Sequence, residues 1–455
     1  MTDVSAAPLG PLWIKNPLAI LAKGADGGLV VQGAKIVELV GAGDKPQTKD
    51  CSVYDASDQV VLPGLVNTHH HFYQTLTRAL NATANKTLFP WLQALYPIWA
   101  GLTPQMVRLS SELAMAELLL SGCTMASDHH YLFPQGLEEA VDLQVEAARA
   151  MGLRIMVTRG SMSLSVENGG LPPKSVVQSD DVILADSARG IGQYHKAGEG
   201  AMVQIALAPC SPFSVTPELM RETAALARQH GVRLHTHLAE TEDETAFCRE
   251  LFGLTPLDYL ESVEWLGSDV WLAHGIHFSN KDIERLGKAG CGVSHCASSN
   301  MVLSSGTCKA CAMEQAGVAL GLGVDGSASN DASNMMQEVR QAFLLQRLAR
   351  GADTVSPRDV LRWATQGSAK CLGRDDIGRL EVGVQADIAM FKLDEPRFSG
   401  AENSIDALVI CGAHKAHAVM VQGHWRVRDG TLVDIDLEAL MSDHGQAART
   451  LWAQA

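Results

Sequence analysis

The chain has 455 residues, of which 46% are hydrophobic and 19% charged, the composition of a globular protein with a large core. It sets 36 Lys and Arg against 51 Asp and Glu, a net charge of −15. Phosphate backbones and anionic membrane surfaces are therefore repelled, and nucleic-acid polymers and membranes are excluded as partners. No uncharged run reaches membrane-spanning length. Residues 1–21 are broken by Pro8, Pro11 and Pro17, so no secretory leader is expected and a cytoplasmic protein is.

In chain order, the first signal is a pair of β-rich runs around Gly33, residues 30–37, which reads as a hairpin. Residues 60–66 form an apolar run, read as a strand, that ends in Asn67-Thr68-His69-His70-His71. Side chains alternate along a strand, so His69 and His71 share one face while His70 points away. Two imidazoles converging at a strand end are half of a divalent-metal site. Taken alone, the same three histidines read as a merely polar strand end.

From there a unit repeats: a short apolar run closing in polar or Gly residues, then an amphipathic stretch. The runs cover 122–128, 153–159, 202–209, 232–238, 270–275, 291–295 and 318–325, with helical patterns at 105–120, 137–150, 217–230 and 282–289. With the run at 60 this makes eight strand-then-helix units, which implies a parallel sheet covered on both faces. A closed (β/α)8 barrel fits best. A doubly wound sheet is the alternative, but no G-x-G-x-x-G follows the first strand. Further strand signals at 386–391 and 419–427 pair in character with residues 30–37. They predict a small β-sandwich domain built from both termini, 1–63 plus 373–436, flanking a barrel over 64–372, with a terminal helix over 437–455. Cys308 and Cys311 form a C-x-x-C, but no second pair sits at metal-finger spacing, and the motif reads as chance.

Chemistry-bearing residues recur where the strands end. His235-Thr236-His237-Leu238-Ala239-Glu240 closes the fifth, with His235 and His237 on one face. His274 closes the sixth, Asp325 the eighth, and Ala208-Pro209-Cys210 the fourth. A lone buried histidine is more often structural than a ligand. In a barrel, however, all these ends meet at one mouth, and so many suitable residues there are not a coincidence.

This pattern resembles the amidohydrolase superfamily: H-x-H after the first strand, His on the fifth and sixth, and Asp on the eighth. The segment Gly378-Arg379-Leu380-Glu381-Val382-Gly383-Val384-Gln385-Ala386-Asp387-Ile388 adds a flanking-domain signature. No lysine ends the fourth strand, and Glu240 follows His237 by three, as in the mononuclear deaminase branch. The resemblance implies one Zn²⁺ per chain, held by His69, His71, His237 and Asp325. It also implies hydrolytic deamination of a cyclic amidine, in which Asp325 relays the water proton, His274 orients the nucleophile and Glu240 protonates a ring nitrogen. The other zinc deaminases, with H-x-E and P-C-x-x-C motifs, are not matched.

Gln74 lies three residues after His71, where guanine deaminases and triazine hydrolases of this branch have a Gln that contacts the ring edge. Cys210 stands where guanine deaminases resemble one another in carrying an Arg, and reads equally as a small buried apolar residue. Nucleoside-using relatives place a ribose-binding carboxylate in a stretch that is here Leu88-Phe89-Pro90-Trp91-Leu92. A free, small-molecule purine base is therefore expected. Other rings (guanine, isoxanthopterin, a hydroxylated s-triazine) and a non-catalytic relative remain as alternatives. Tyr73, Tyr131 and Trp91 are candidates to stack on the ring, and each is as readily a packing residue. His129, His130, Arg159 and His295 also end strands without an assigned role. The resemblance further implies a homodimer.

Overall fold

The structure, a computed structural model, describes residues 10–454. Residues 1–9, on which part of the leader reading and the start of the small domain rest, and Ala455 lie outside the described residues.

Eight parallel strands form the expected α/β barrel: β1 Leu65–Asn67, β2 Cys123–His130, β3 Arg154–Ser161, β4 Val203–Pro209, β5 Arg233–Leu238, β6 Val270–His274, β7 Gly292–His295 and β8 Ala319–Leu322. Each pairs with the next in chain order. The ring is completed just beyond its first and last strands. Thr68 N–H donates to the Leu322 carbonyl at 2.9 Å, and Asp325 N–H to that of His69 at 3.0 Å. β2 and β3 are buried along their whole length, since helices cover the outside and side chains fill the inside. Thr-Pro pairs open several covering helices. Thr103, Thr216 and Thr255 cap them through their hydroxyls, and the following proline lacks the N–H that would go unused there.

Two sheets flank the barrel. One contains Leu12–Lys15, Gly28–Gln32, Lys35–Val40 and Ser52–Asp55; the other joins Ala19–Ile20 and Gln59–Pro63 to Ile388–Lys392, Ala418–Val421, His424–Arg428 and Thr431–Leu432. Ile14, Leu29, Val61, Ile388 and Met420 share one apolar layer between them, which makes the sandwich. The helix Leu437–Trp452 returns to the barrel, where Trp452 Nε1 donates to the Leu76 carbonyl at 2.7 Å.

Two expectations need correction. The run at 60–66 is not one barrel strand. Gln59–Pro63 belongs to the six-stranded sheet, and the chain turns into β1 at Gly64, where a Cβ would fall 2.2 Å from Thr124 Oγ1. The last strand ends at Leu322 rather than at residue 325, because Asp325 adopts φ 62°, outside the β region. Cys308 and Cys311 are free thiols, and neither belongs to a metal-capable cluster among the described residues.

Barrel and sandwich are joined by a buried ion pair. Arg154 Nη2 lies 3.0 Å from Asp387 Oδ1, and both side chains are out of contact with solvent. Asp387 Oδ1 also accepts the Gln422 N–H at 2.8 Å. Replacing Asp387 with Ala leaves the guanidinium buried and uncompensated, so a loss of about 3–5 kcal/mol is expected. An unfolding midpoint equal to that of the unaltered protein would refute this.

A candidate metal centre at the barrel mouth

His69 and His71 leave the end of β1, His237 lies on β5, and Asp325 follows β8. The barrel brings all four together at its C-terminal mouth. His69 Nε2 and His71 Nε2 lie 3.3 and 3.4 Å from Asp325 Oδ1, and His71 Nε2 lies 3.2 Å from His237 Nε2. The opposite ring nitrogens fix the tautomers. His71 Nδ1 faces the His129 carbonyl at 2.7 Å and His237 Nδ1 that of Cys210 at 2.7 Å. A carbonyl only accepts, so both Nδ1 atoms carry the proton. His69 is set one step further out: His235 Nδ1 donates to the Trp271 carbonyl at 2.9 Å, and His235 Nε2 accepts from His69 Nδ1 at 2.8 Å. All three imidazoles therefore present an Nε2 lone pair to the same point.

Such an arrangement suits a cation. The Nε2 lone pairs of His71 and His237 face each other, and His69 Nε2 is buried with no hydrogen-bond partner among the described residues. Burial lowers the pKa of these imidazoles, that of His237 to about 3, and so keeps them neutral as ligands must be. Burial opposes the charge of Asp325, yet its carboxyl is held well below the ordinary range, and His274, whose own pKa is raised, favours that charge. Two overlapping buried groups here could hold a divalent metal, His69, His71, His129 and His237 in one and His69, His274 and Asp325 in the other.

Glu240 and His274 stand beside it. His274 Nε2 is 3.5 Å from Glu240 Oε2 and 3.9 Å from Asp325 Oδ2, while its Nδ1 lies 3.1 Å from Asn300 Oδ1. Burial pushes the Glu240 carboxyl up to about 7; His274 opposes the shift and Asp325 adds to it. Burial also opposes a charge on His274, but Glu240 and Asp325 outweigh it and raise its pKa. Ala239, His274 and Asp325 all have positive φ, at 54°, 70° and 62°. Each such backbone costs roughly 1–3 kcal/mol, strain of a kind that collects at functional sites.

These groups open into one cavity at the barrel mouth. Its floor carries His71, His237, His274, Glu240 and Asp325, and its walls include Gln74, Cys210, Tyr131 and Phe213. Helix Leu88–Trp99 covers it with Leu88, Trp91, Leu92 and Tyr96, and brings no carboxylate. Gln74 is seated by Ala328 N–H, which donates to its Oε1 at 3.3 Å, and a Cβ on Gly326 would fall 1.8 Å from that oxygen.

Other candidates from the sequence separate clearly. Tyr131 and Trp91 line the cavity, whereas Tyr73 packs on Trp99 and His130 and is absent from the lining. His235 shares a face with His237 but lies a layer lower, stacked on Trp271 at 4.3 Å. His129 stacks on His237 at 4.8 Å and belongs to the imidazole cluster. His130 bonds the Leu132 carbonyl, Arg159 pairs with Asp186, and His295 meets Gln346, all outside the cavity lining. Sequence reasoning missed Tyr96 and Asn300, and nothing in their local patterns marks them.

Residues 60–426 match the pattern of the amidohydrolase family, and the chain belongs to that family. It is 60% identical to an 8-oxoguanine deaminase of Pseudomonas aeruginosa over 97% of this chain and 99% of the relative. It is 38% identical to a hydroxydechloroatrazine ethylaminohydrolase of a Pseudomonas species, over 84% and 83%. Its structure superposes on a zinc complex of atrazine chlorohydrolase from Arthrobacter aurescens with a TM-score of 0.91 at 31% identity, covering 96% of this chain and all of that one.

Proposed function

We propose that this chain is a zinc-dependent aminohydrolase that converts free 8-oxoguanine and water to urate and ammonia, a step in purine breakdown. The observation that carries the chemistry is the shared cavity: His71, His237, His274, Asp325 and Glu240 face the same largely apolar space as Gln74 and Cys210. The choice of ring is supported by the 60% identity to the Pseudomonas aeruginosa deaminase and by Cys210 at the end of β4. One zinc ion held by His69, His71, His237 and Asp325 would act as a Lewis acid and make water nucleophilic at neutral pH.

The chain's own groups do the rest. Gln74 and Cys210 meet the polar edge of the ring, while Trp91, Leu92 and Phe213 exclude water from its faces. Glu240, with a carboxyl pKa of about 7, delivers a proton from Oε2 to a ring nitrogen, and the adjoining carbon becomes electrophilic. Asp325, held ionised, takes a proton from the attacking water at Oδ2 and returns it to the departing amine, and the remaining hydroxyl proton goes back to Glu240 as the new carbonyl forms. His274, between the two carboxylates, orients the nucleophile through Nε2.

A small purine base is the proposed partner, with no nucleic-acid polymer and no membrane, in a cytoplasmic homodimer. Among the described residues no helix is long and apolar enough to cross a membrane. Ammonia release measured on a panel of rings tests the substrate. The highest kcat/KM is expected for 8-oxoguanine and a lower one for guanine, because the Cys210 thiol cannot replace a guanidinium. 8-Oxoguanosine and oxidised DNA should release none. A higher kcat/KM for guanine, isoxanthopterin or a hydroxylated s-triazine would overturn the named substrate.

A further inference from the structure

Glu244 lies one turn beyond Glu240, in the first turn of helix Glu242–Phe252, and is fully buried. Thr241 caps this helix by accepting the Glu244 N–H at 3.3 Å. In the usual reciprocal cap the acidic side chain would bond the amide of Thr241. Here the carboxylate reaches further back: Oε1 accepts the Ala239 N–H at 2.8 Å and Oε2 accepts the Glu240 N–H at 3.0 Å. The same turn is held from its other side. The Ala239 carbonyl accepts the N–H groups of Ile276 and His277 at 2.8 and 2.9 Å, just after His274. With Ala239 at φ 54°, this turn is strained and needs such support. A buried carboxylate is costly unless fully bonded, and this one spends both oxygens on the two amides that set where Glu240 points. Glu244 itself does not line the cavity.

We propose that Glu244 is a positioning residue for the reaction: it fixes the Ala239–Glu240 turn so that the Glu240 carboxyl stays beside His274 at the substrate cavity. This rests on Glu240 being the proton donor. The test is a double-mutant cycle on the zinc-loaded full-length protein, with ammonia release from 8-oxoguanine as the readout. Glu244→Ala should lower kcat roughly 10–100-fold, as small misplacements of a catalytic group do. KM should change by less than about threefold, and zinc content should stay at the unaltered level. Glu244→Gln keeps one carbonyl oxygen as acceptor and should recover part of the loss.

The decisive expectation concerns the pair. Once Glu240→Gln has removed the donor, adding Glu244→Ala should cost little more, because both act through one group. Losses that multiply in the double variant, or an unchanged kcat in Glu244→Ala, would overturn the proposal. If Glu244→Ala does not fold, the same cycle run with Glu244→Gln decides it by the same criterion. Normal turnover by Glu240→Gln alone would remove the donor reading and this proposal with it, whereas multiplying losses would remove only the proposal.

Discussion

Glu240→Gln is expected to lower kcat about 10²–10⁴-fold, the usual worth of a positioned proton donor, while metal content and melting temperature stay unchanged. The reason is local. Glutamine nearly matches glutamate in shape, so it keeps the fold around a buried side chain, but it has no acidic proton to give. Glu240 lines the cavity, and its carboxyl pKa of about 7 leaves it able to carry a proton near neutral pH. If the variant turns over at a near-normal rate, another group protonates the ring and the role assigned to Glu240 is wrong.

Removing the metal should have the largest effect of all. Chelation should bring ammonia release down to background, and adding back zinc should restore it, saturating at about one ion per chain. The expected stoichiometry rests on the proposed ligand set, His69, His71, His237 and Asp325, and on β4 leading into Cys210 with no lysine there to bridge a second ion. Elemental analysis finding two ions per chain, or full activity in the metal-free protein, would contradict it. Stripping the metal should also lower thermal stability, because the facing lone pairs of His71 and His237 then repel without a cation to satisfy them.

Strand periodicity showed which residues point inward but not how far down the barrel they lie. His69, His71, His237, His274 and Asp325 could be picked out because chemistry in this fold gathers where strands end. His235 carries the same periodic signal as His237, yet two residues along a strand is about 6.6 Å, enough to place it in the layer beneath as a brace for His69. Helix Leu88–Trp99, with Pro90 and Pro97 in its sequence, is assigned no element by the sequence pattern; only packing over the cavity reveals Tyr96 on its inner face. The apolar run at 60–66 reads as a single strand, since burial on both sides makes Gln59–Pro63 and β1 alike in composition, although the domain boundary expected after residue 63 falls where the structure divides it. Asn300 acts through a hydrogen bond to His274, which no local sequence pattern brings to it, whereas Thr241 and Glu244 carry a local pattern that signals a helix cap and not a brace for Glu240.

The division of that run at Gly64 has a consequence for how the protein is made. Gln59–Pro63 needs Ile388–Lys392 beside it to complete its ladder, and more than three hundred residues must be translated in between. At roughly 5–20 residues per second, the nascent sandwich carries an unfinished, apolar edge for on the order of 15–60 s. β1 waits nearly as long for the segment after β8 that closes the ring. Maturation is thus governed by the last-made part of the polypeptide. Strands that stay unpaired for that long invite association between neighbouring chains on one message, so a lower rate of initiation, which spaces nascent chains apart, should raise the soluble yield more than it would for a protein whose sheets close in order of synthesis.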